Sequence, residues 1–274
     1  GIRNQGSSTL HDGALTLTKN LDVPRIGPPL DADDTPRRDR LVVEYNTSTN
    51  PVEDGLVQDT SGRGNDGVMY GTAAYDTMQK ALKFDGATSD YIKSRIDNTS
   101  GGYIHTVSQW FRNDTTLSSE NQYLHFIGSE GANKASAIQF STSTTTSVYV
   151  TFYSNYLYNS YSNLGLETVG KWRHVAYSYS GGPTSTTNPK IYIDGELKTG
   201  WTIAGGSAST TINLDANASL VLGNRATYGQ PFDGSVSQFK LYDTALTASE
   251  VKTLYDMGRC SNAIPKTLHI MGGM

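Results

Sequence analysis

Short runs in which apolar and polar residues alternate fill most of the chain, and clusters of Gly, Asn, Asp and Ser separate them. After Trp172, for example, Val175, Tyr177 and Tyr179 occupy every second position. A period of two places successive side chains on opposite faces of a strand. The pattern therefore predicts many strands joined by turns and packed as two sheets. The predicted strands are 41–45, 81–84, 91–96, 105–112, 123–127, 137–140, 148–153, 172–179, 190–193, 220–222 and 235–241.

A single helix is predicted near the end of the chain. Thr247 and Glu250 have the spacing of a capping box, in which each side chain accepts a hydrogen bond from the other residue's backbone N–H. Apolar residues at three- and four-residue spacing follow, which indicates one face packed against the sheets. Gly258 is expected to end the helix. The helix is therefore predicted over residues 248–257.

Three segments differ in composition. Residues 1–40 are polar, contain four prolines and end in a mixed-charge stretch, so we expect an extended N-terminal arm. Alternating apolar residues such as Leu15 and Leu17 predict one short strand within that arm. Residues 41–260 hold the strand pattern and are expected to form one domain. We expect the tail, residues 261–274, to continue into another module.

Composition and charge limit the partners. Only 18% of the residues are charged, while 28 glycines and 17 tyrosines favour turns and strands over helices. The formal net charge of −4 does not supply the basic field that nucleic acid or anionic lipid requires. No apolar run approaches the ~18 residues of a membrane span, and Cys260 is the only cysteine. We therefore expect no nucleic-acid binding, no membrane insertion and no intrachain disulfide.

Several motifs follow one another in an informative order. They are the glycine-punctuated turn 59–67, the segments 81–86 and 90–92, the run 170–176, the Asp-Gly hairpin turn 194–195, the Leu-Gly pair 222–223, the Phe-Asp-Gly turn 232–234 and the segment 239–246. In this order they resemble the laminin-G-like, pentraxin-like jelly roll of the concanavalin A-like lectin/glucanase superfamily. The resemblance implies an all-β fold, a two-sheet antiparallel jelly-roll sandwich with one short C-terminal helix. Trp172 and Val175 are expected to anchor a central strand.

The superfamily includes glucanases, whose retaining members hold two carboxylates about 5.5 Å apart across the sugar. Their strand motif, Glu-x-Asp-x-x-Glu, is absent from this chain, and so is a Gly-x-Ser-x-Gly nucleophile elbow. The five histidines lack the paired spacing of a zinc site. We therefore expect a protein that is not an enzyme, with a glycoside hydrolase as the distant alternative.

The resemblance also implies calcium, which this architecture usually binds through Asp, Asn and backbone oxygens in loops. The candidate ligands are Asp59, Asn65 and Asp66 in the glycine-punctuated turn, joined by Asp233 from the Phe-Asp-Gly turn. The alternative is that these are ordinary turn residues, because Asp and Asn side chains bond to their own backbone in turns. Both interpretations remain open at this point.

Aromatic residues mark a candidate ligand surface. Tyr156, Tyr158 and Tyr161 lie among small amides and hydroxyls, the composition of adaptable recognition surfaces. Arg225 and Tyr228, in the loop that follows the Leu-Gly pair, would add a charged and a stacking contact. The alternative is that the alternate tyrosines pack an edge strand.

Two function classes follow from these features. The first is a non-enzymatic surface module for glycan binding or adhesion, as part of a larger surface, fibre or virion protein. The second is a structural component of a capsid or fibre, in which the terminal arms assemble a homo-oligomer and no sugar binds. The expected partner is a glycan or a surface protein, and the expected location is extracellular, on a cell surface or on a virion.

Overall fold

A computed structural model describes residues 3–4, 8–11, 14–17, 21–22, 35–97, 99–115, 121–141, 147–152, 156–166, 169–204, 211–225, 227 and 229–261. The chain divides into two compact units, Gly1–Thr35 and Pro36–Met274. In the described part of the chain, no helix is long and apolar enough to span a bilayer.

The described elements follow one another in a simple order. They are β1 Arg3–Asn4, β2 Ser8–His11, β3 Ala14–Leu17, β4 Leu21–Asp22, β5 Leu41–Tyr45, β6 Val52–Glu53, β7 Leu56–Val57, β8 Gly67–Tyr70, β9 Ala74–Asp76, β10 Ala81–Asp85, β11 Tyr91–Arg95, β12 His105–Asn113, β13 Gln122–Gly128, β14 Ala135–Ser141, β15 Ser147–Thr151, β16 Tyr156–Ser160, α1 Tyr161–Leu164, β17 Arg173–Tyr179, β18 Lys190–Ile193, β19 Glu196–Lys198, β20 Thr202–Ala204, β21 Ser219–Leu222, β22 Asp233–Tyr242 and α2 Ala248–Ser261. A 3-10 turn, Arg38–Arg40, precedes β5.

The first unit contains two antiparallel strand pairs where the sequence predicts one strand. Strand β1 pairs with β4, and β2 pairs with β3. Both pairs keep the same register, with Arg3 opposite Asp22 and Leu10 opposite Leu15. Pairing is the physical reason for the difference, because a single strand leaves its backbone N–H and C=O groups without partners.

The second unit is a sandwich of two antiparallel sheets, which confirms the predicted jelly-roll architecture. The eight-stranded sheet has the order β19-β18-β17-β12-β22-β10-β9, with β5 also paired to β22. The ten-stranded sheet has the order β20-β16-β15-β14-β13-β21-β11-β8-β7-β6. Every predicted strand is present, with ends that differ by two residues or fewer.

Seven short strands of this unit have no counterpart in the predicted set: β6, β7, β8, β9, β16, β19 and β20. Six of them lie at or beside the edges of the two sheets, and β8 is the third strand from an edge. Edge strands bury less of their surface, so their sequences lack the strong apolar alternation that marks central strands. Pairing with a neighbour defines them instead.

The main apolar core lies between the sheets, and a smaller one lies under α2. Val175, Tyr177 and Tyr179 belong to the main core, while Ala176 belongs to the cluster beneath the helix. This division confirms the two-faced alternation in β17. The eight-stranded sheet is therefore covered on both faces.

Trp172 does not anchor the central strand, so that prediction is wrong. It precedes β17 and is only half-buried. The tryptophan that packs the helix against the sheet is Trp110 on β12, which is 5% exposed. Its ring stacks on Tyr255 of α2 with 5.3 Å between centroids. Strand periodicity alone could not tell which tryptophan would face the helix.

The capping box is confirmed, but Gly258 does not end α2. The backbone N–H of Thr247 donates to Glu250 Oε2 at 2.7 Å, and the backbone N–H of Glu250 donates to Thr247 Oγ1 at 3.3 Å. The helix continues past Gly258 to Ser261. A Cβ at Gly258 would overlap the indole of Trp110. The glycine thus permits close packing of helix on sheet, and α1 is a single helical turn that the sequence pattern did not predict.

A chain of hydrogen bonds crosses the interior of the sandwich and joins the two sheets. Its members are fully buried: Gln109 and His105 on β12, Tyr177 on β17, His125 on β13 and Ser136 on β14. Consecutive members, in the order Gln109, His125, Tyr177, Ser136 and His105, lie between 2.7 and 3.1 Å apart. Each of these bonds passes from one sheet to the other.

The direction of every hydrogen bond in this series follows from its His105 end. His105 Nδ1 lies 2.7 Å from the carbonyl oxygen of Tyr103, which can only accept, so Nδ1 donates. Nε2 of a neutral His105 then accepts from Ser136. By the same logic Ser136 accepts from Tyr177, and Tyr177 accepts from Nε2 of His125. Nδ1 of His125 therefore accepts a hydrogen bond from the side-chain amide N–H of Gln109.

Burial keeps these imidazoles neutral. Loss of hydration lowers the pKa of His105 to about 4 and that of His125 to about 3. Burial beneath α2, with a smaller contribution from Lys240, also lowers the pKa of His174 to about 3. His174 Nε2 lies 2.9 Å from Ser108 Oγ. A proton on any of the three rings would therefore oppose folding.

Acid is expected to destabilise the sandwich through these three histidines. Each pKa is lower in the folded protein than the value of about 6.5 in an unfolded chain, so the unfolded state takes up protons first as the pH falls below about 6.5. Between pH 7 and pH 5 each ring should reduce the free energy of unfolding by about 2 kcal/mol. Urea titrations at several pH values measure this loss. A His125→Gln variant should show a shallower pH dependence, and an unchanged dependence would contradict the assignment.

Gly258→Ala should destabilise the protein even though alanine is the better helix former by about 1 kcal/mol. The added methyl group would overlap the indole of Trp110, and we expect a net loss of ~1 to 3 kcal/mol in the free energy of unfolding. A double-mutant cycle with Trp110→Leu tests the cause, because the alanine should cost less once the indole is gone. Equal costs in both backgrounds would show that the contact is unimportant.

Candidate functional site

The ten-stranded sheet bears an open groove on its outer face. Its volume is about 560 Å³, within the range of about 300–1,000 Å³ for small-molecule sites. Residues of β8, of β11 and of the segment that leads into β21 line it: Asp66, Val68, Tyr70, Lys93, Ser94, Arg95, Ala216, Asn217 and Ser219. The outer face of the other sheet packs against α2, so the groove lies on the sheet face opposite the helix.

Tyr70 lines one end of the groove and stacks on Tyr91, which lies beside the lining. Tyr70 and Tyr91 are directly paired across β8 and β11, and their rings stack with 4.4 Å between centroids. Tyr70 remains 41% exposed and Val68, two residues earlier, is also 41% exposed. Strand alternation places both on the outer face, because Met69 between them packs against the main core.

Charged and amide groups form the other end of the groove. Arg95 Nε lies 3.3 Å from Asp97 Oδ1, and both side chains are largely exposed. The Asn217 amide joins them: with its oxygen turned towards Arg95, it accepts a bond from the guanidinium at 2.8 Å and donates to Asp97 at 3.2 Å. Arg95 pairs with Ser219 across β11 and β21. The groove therefore runs from stacked rings to a hydrogen-bonded polar cluster.

The glycine-punctuated turn of residues 59–67, or glycine loop, supplies Asp66 to this groove. Asp59 organises the loop: Oδ1 accepts from the backbone N–H groups of Glu44 and Ser61, both at 2.9 Å. Oδ2 accepts from Ser61 Oγ at 2.7 Å and from the backbone N–H of Asn65 at 2.9 Å. The backbone N–H of Asp59 donates to Asp66 Oδ1 at 2.7 Å, which holds that carboxylate at the groove.

The arrangement around Asp59 suits a hydrogen-bonded turn better than a calcium site. Each of its carboxylate oxygens already accepts two hydrogen bonds, whereas a bound cation needs oxygens turned towards it. Among the described residues, no group of three or more His, Cys, Asp or Glu side chains is placed to hold a metal ion.

Asp233, the fourth predicted calcium ligand, lies elsewhere. Thr115 Oγ1 donates to it at 3.1 Å and Lys83 Nζ lies 3.7 Å away. Glu44, which bonds Asp59, pairs with Lys240, seven residues along β22 from Asp233. At roughly 3.3 Å per residue that is about 20 Å along the sheet. The structure thus brings together three of the four residues and separates the fourth.

The Arg225 guanidinium is bound by three neighbouring side chains. Its Nε lies 2.7 Å from Glu130 Oε1, and its guanidinium also donates to Gln230 Oε1 at 3.1 Å and to Thr227 Oγ1 at 3.0 Å. The Glu130 carboxylate in turn accepts from the Thr227 hydroxyl at 2.8 Å. Glu130 is a partner that the sequence analysis did not identify.

This ion pair bridges the outer face of the ten-stranded sheet. Glu130 follows β13 and Arg225 follows β21, and these neighbouring strands run antiparallel, so the two residues leave opposite ends of the strands. The ion pair therefore joins the loops that leave the two ends of this strand pair. Phe126 and Val221, which pair between the two strands, are buried in a small separate cluster.

The tyrosine segment forms β16, near one edge of the same sheet. Tyr156 pairs with Thr151 and Tyr158 pairs with Tyr149, positions that alternate with the core residue Val150. The register thus places Tyr156 and Tyr158 at outer-face positions. Their side chains, the side chain of Tyr161 and all of Tyr228 lie outside the described residues.

The groove residues Val68, Tyr70, Lys93 and Arg95, and Tyr91 beside them, did not appear among the predicted site residues. The weak signal for them is the alternation of Val68 and Tyr70 immediately after the glycine loop. That run is only four residues long, and this is too short for the alternation to predict a strand. Pairing with β11 creates the surface.

Solved structures with the same fold cover most of the chain. Domain 4 of a GH43 extracellular arabinanase from Geobacillus stearothermophilus, in complex with arabinotriose, is 21% identical, with a TM-score of 0.53 over 79% of this chain and 98% of that one. The ligand-binding domain of botulinum neurotoxin serotype D, in complex with N-acetylneuraminic acid, is 16% identical, with a TM-score of 0.54 over 80% of this chain and 51% of that one.

A third similar structure is Trypanosoma rangeli sialidase in complex with sialic acid, at 16% identity and a TM-score of 0.55 over 87% of this chain and 37% of that one. The chain thus spans only about half of the neurotoxin domain and little more than a third of the sialidase. At such identities the likeness shows the shared fold. Comparison with curated protein sequences finds no match.

A family model supports the resemblance that the motifs indicated. The model described as the concanavalin A-like lectin/glucanases superfamily matches residues 85–252, from the end of β10 into α2. The match covers more than half of the chain, and the two-sheet sandwich agrees with it. The chain therefore belongs to the concanavalin A-like lectin/glucanases superfamily, in a family of the laminin-G type.

Proposed function

We propose that this jelly roll is a non-enzymatic module that binds a glycan in the groove of the ten-stranded sheet. The observation that carries the proposal is the exposed ring of Tyr70, stacked on Tyr91 beside a polar cluster. A tyrosine that is 41% exposed in a groove is available to a ligand, and stacking on Tyr91 supports its ring.

The chemistry of the groove matches that of a sugar. A pyranose has an apolar face of C–H groups, which fits a ring such as Tyr70, and a rim of hydroxyls, which fits amide and charged groups such as Asn217 and Asp66. About four residues of β8 separate the aromatic end from Asp66, or roughly 13 Å. The groove is therefore long enough for more than one sugar unit.

Structures of the same fold support this proposal. The arabinanase domain was solved with arabinotriose, and the neurotoxin domain was solved with N-acetylneuraminic acid. The arabinanase is named as extracellular, and other similar structures are named as receptor-binding domains of botulinum neurotoxins. We accordingly propose an extracellular or surface location, on a cell or a virion, with a role in glycan binding or adhesion.

The absence of hydrolysis is part of the proposal, and the arrangement of the carboxylates supports it. Asp85 and Asp90 approach the same hydroxyl, Thr72 Oγ1, at 2.7 and 2.8 Å. Asp90 is fully buried and also accepts the backbone N–H of Thr72 at 2.7 Å. A carboxylate without access to solvent cannot face a substrate across a cleft, as hydrolysis of a glycosidic bond requires.

The Ser–His contacts are equally inaccessible. Ser108 with His174 and Ser136 with His105 are all buried. Neither pair offers a hydroxyl that a substrate could reach. The described chemistry therefore favours binding over catalysis.

The tyrosine strand β16 is a second surface for the same function. Its outer-face positions, Tyr156 and Tyr158, lie on the sheet face that carries the groove. We propose Tyr156, Tyr158 and Tyr161, with Arg225 and Tyr228, as additional contacts for a longer glycan. Arg225 would contribute only after loosening its ion pair with Glu130. Assembly through the terminal arms stays the alternative role.

Tyr70→Ala is expected to weaken glycan binding about tenfold, because it removes the stacking surface. Wild-type affinity should lie between about 10 μM and 1 mM, the range of shallow contacts worth ~4 to 7 kcal/mol. A glycan array followed by calorimetry on the best ligand measures both values. Tyr70→Phe should retain binding since it keeps the ring. Leu197→Ala, an exposed apolar position on the other sheet, is the matched control.

Three results would contradict this assignment. Unchanged affinity in Tyr70→Ala, together with a loss in Tyr156→Ala or Tyr158→Ala, would move the site to β16. Release of reducing ends from the bound glycan, abolished by replacing one Asp or Glu, would show that the protein is a hydrolase. Absence of binding to every glycan would favour the assembly role.

We expect the glycine loop to be stabilised by Asp59 and not by calcium. Asp59→Ala should lower the free energy of unfolding by ~2 kcal/mol, because it removes four hydrogen bonds to the carboxylate. Asp59→Asn, which keeps one acceptor oxygen, should lose less. Melting temperatures with millimolar calcium and with a chelator should agree. A higher melting temperature in calcium, lost in Asp59→Ala, would establish a calcium site at this loop.

A further inference from the structure

Two cationic side chains lie next to each other on the floor of the groove. Lys93 and Arg95 occupy alternate positions of β11, and both line the groove. Alternate residues of a strand share a face and lie about 7 Å apart. One carboxylate, Asp66, lines the groove with them, so cations outnumber carboxylates in its lining.

The acidic groups near Arg95 leave its guanidinium open to competition by a further anion. Asp66 lines the groove, but its Oδ1 accepts a hydrogen bond from the backbone N–H of Asp59 at 2.7 Å. Asp97 pairs with Arg95 at 3.3 Å, with 69% of the arginine and 68% of the aspartate side chain exposed. A pair this exposed is weak, because solvent screens it. A ligand carboxylate could compete for the guanidinium.

The cations lie at a suitable distance from the aromatic end. Lys93 pairs with Val68 and is two residues along β11 from Tyr91, on which Tyr70 stacks. The backbone positions of Tyr91 and Lys93 are therefore about one pleat repeat apart, roughly 7 Å along β11. One sugar residue stacked on Tyr70 would carry its substituents, or those of the next residue, to Lys93 and Arg95.

We propose that the groove selects glycans that carry a carboxylate, such as uronic or sialic acid residues, with Lys93 and Arg95 as the groups that recognise the charge. This inference rests on the proposed function, because it assigns the ligand class of the same groove. Tyr70 supplies affinity for the ring whatever its charge, and the two cations supply the preference for the acid. Arg95 can meet a carboxylate with two parallel N–H bonds, while Lys93 acts as a point charge.

A matched pair of ligands tests the charge preference. Trigalacturonic acid and its fully methyl-esterified form have the same sugar rings and differ in the carboxylate charge. We expect the acid to bind at least tenfold more tightly than the ester in calorimetry at low salt. The difference should shrink in 0.5 M NaCl, since screening weakens charge recognition at an exposed site. 3′-Sialyllactose against lactose repeats the comparison with a sialic acid.

Variants identify the residues responsible. Lys93→Gln and Arg95→Gln should each reduce the ratio of acid affinity to ester affinity several-fold, because glutamine keeps hydrogen-bonding groups and removes the charge. Tyr70→Ala should weaken the acid and the ester by the same factor. Lys171→Gln, an exposed lysine outside the groove, is the matched control and should change neither. Melting curves confirm that each variant is folded.

The outcomes separate this inference from the function on which it rests. Equal affinity for acid and ester, or an acid preference that survives both glutamine variants, would overturn charge selection at this groove. In either case, a loss of binding in Tyr70→Ala would still support the glycan site. Absence of binding to all four ligands, together with absence of binding to every neutral and acidic glycan of an array, would overturn both proposals.

Discussion

The hydrogen-bonded chain from Gln109 to His105 is the constraint on which the sandwich depends. Five fully buried polar side chains lie between two apolar sheet faces, and each would oppose folding without a partner. They are tolerated because every step supplies one donor and one acceptor. The chain satisfies this condition only when β12 and β17 face β13 and β14 in one register. A slip of one residue would turn these side chains to the wrong face. The alignment of the sheets is thereby specified more sharply than apolar packing alone would achieve.

That alignment determines which surfaces remain for function. On the eight-stranded sheet, α2 packs closely on Trp110 because Gly258 has no side chain, and the helix covers that face. The ten-stranded sheet has no such helix among the described elements. Its outer face carries the groove on β8 and β11, the ion-paired bridge of Glu130 and Arg225, and the strand β16. The candidate contacts for a glycan thus share one face.

Local hydrogen bonding links the loops to the groove. The residues that resemble a calcium loop in sequence form a turn around the Asp59 carboxylate, and this turn places Asp66 at the edge of the groove. The Arg225 guanidinium similarly stabilises its loop by bonding to Glu130 and Thr227. In both loops, charged groups of a kind that binds ligands instead form hydrogen bonds or ion pairs within the protein. Tyr70, which is 41% exposed beside the groove residues Lys93 and Arg95, therefore provides the stronger argument for binding.

The sequence by itself determined the all-β class, the central strands and the capped start of α2. These features depend on residues close together in the chain: the two-residue period of buried strands, and a capping box that spans three peptide units. The superfamily could also be identified, because its motifs are turns and strand ends with local requirements for Gly, Asp and Asn. Only the tertiary structure decided the remainder. Which tryptophan meets the helix, why Gly258 lies inside it, and how Tyr70, Lys93 and Asn217 form one groove all depend on contacts between distant segments, and no local periodicity records which strands will become neighbours.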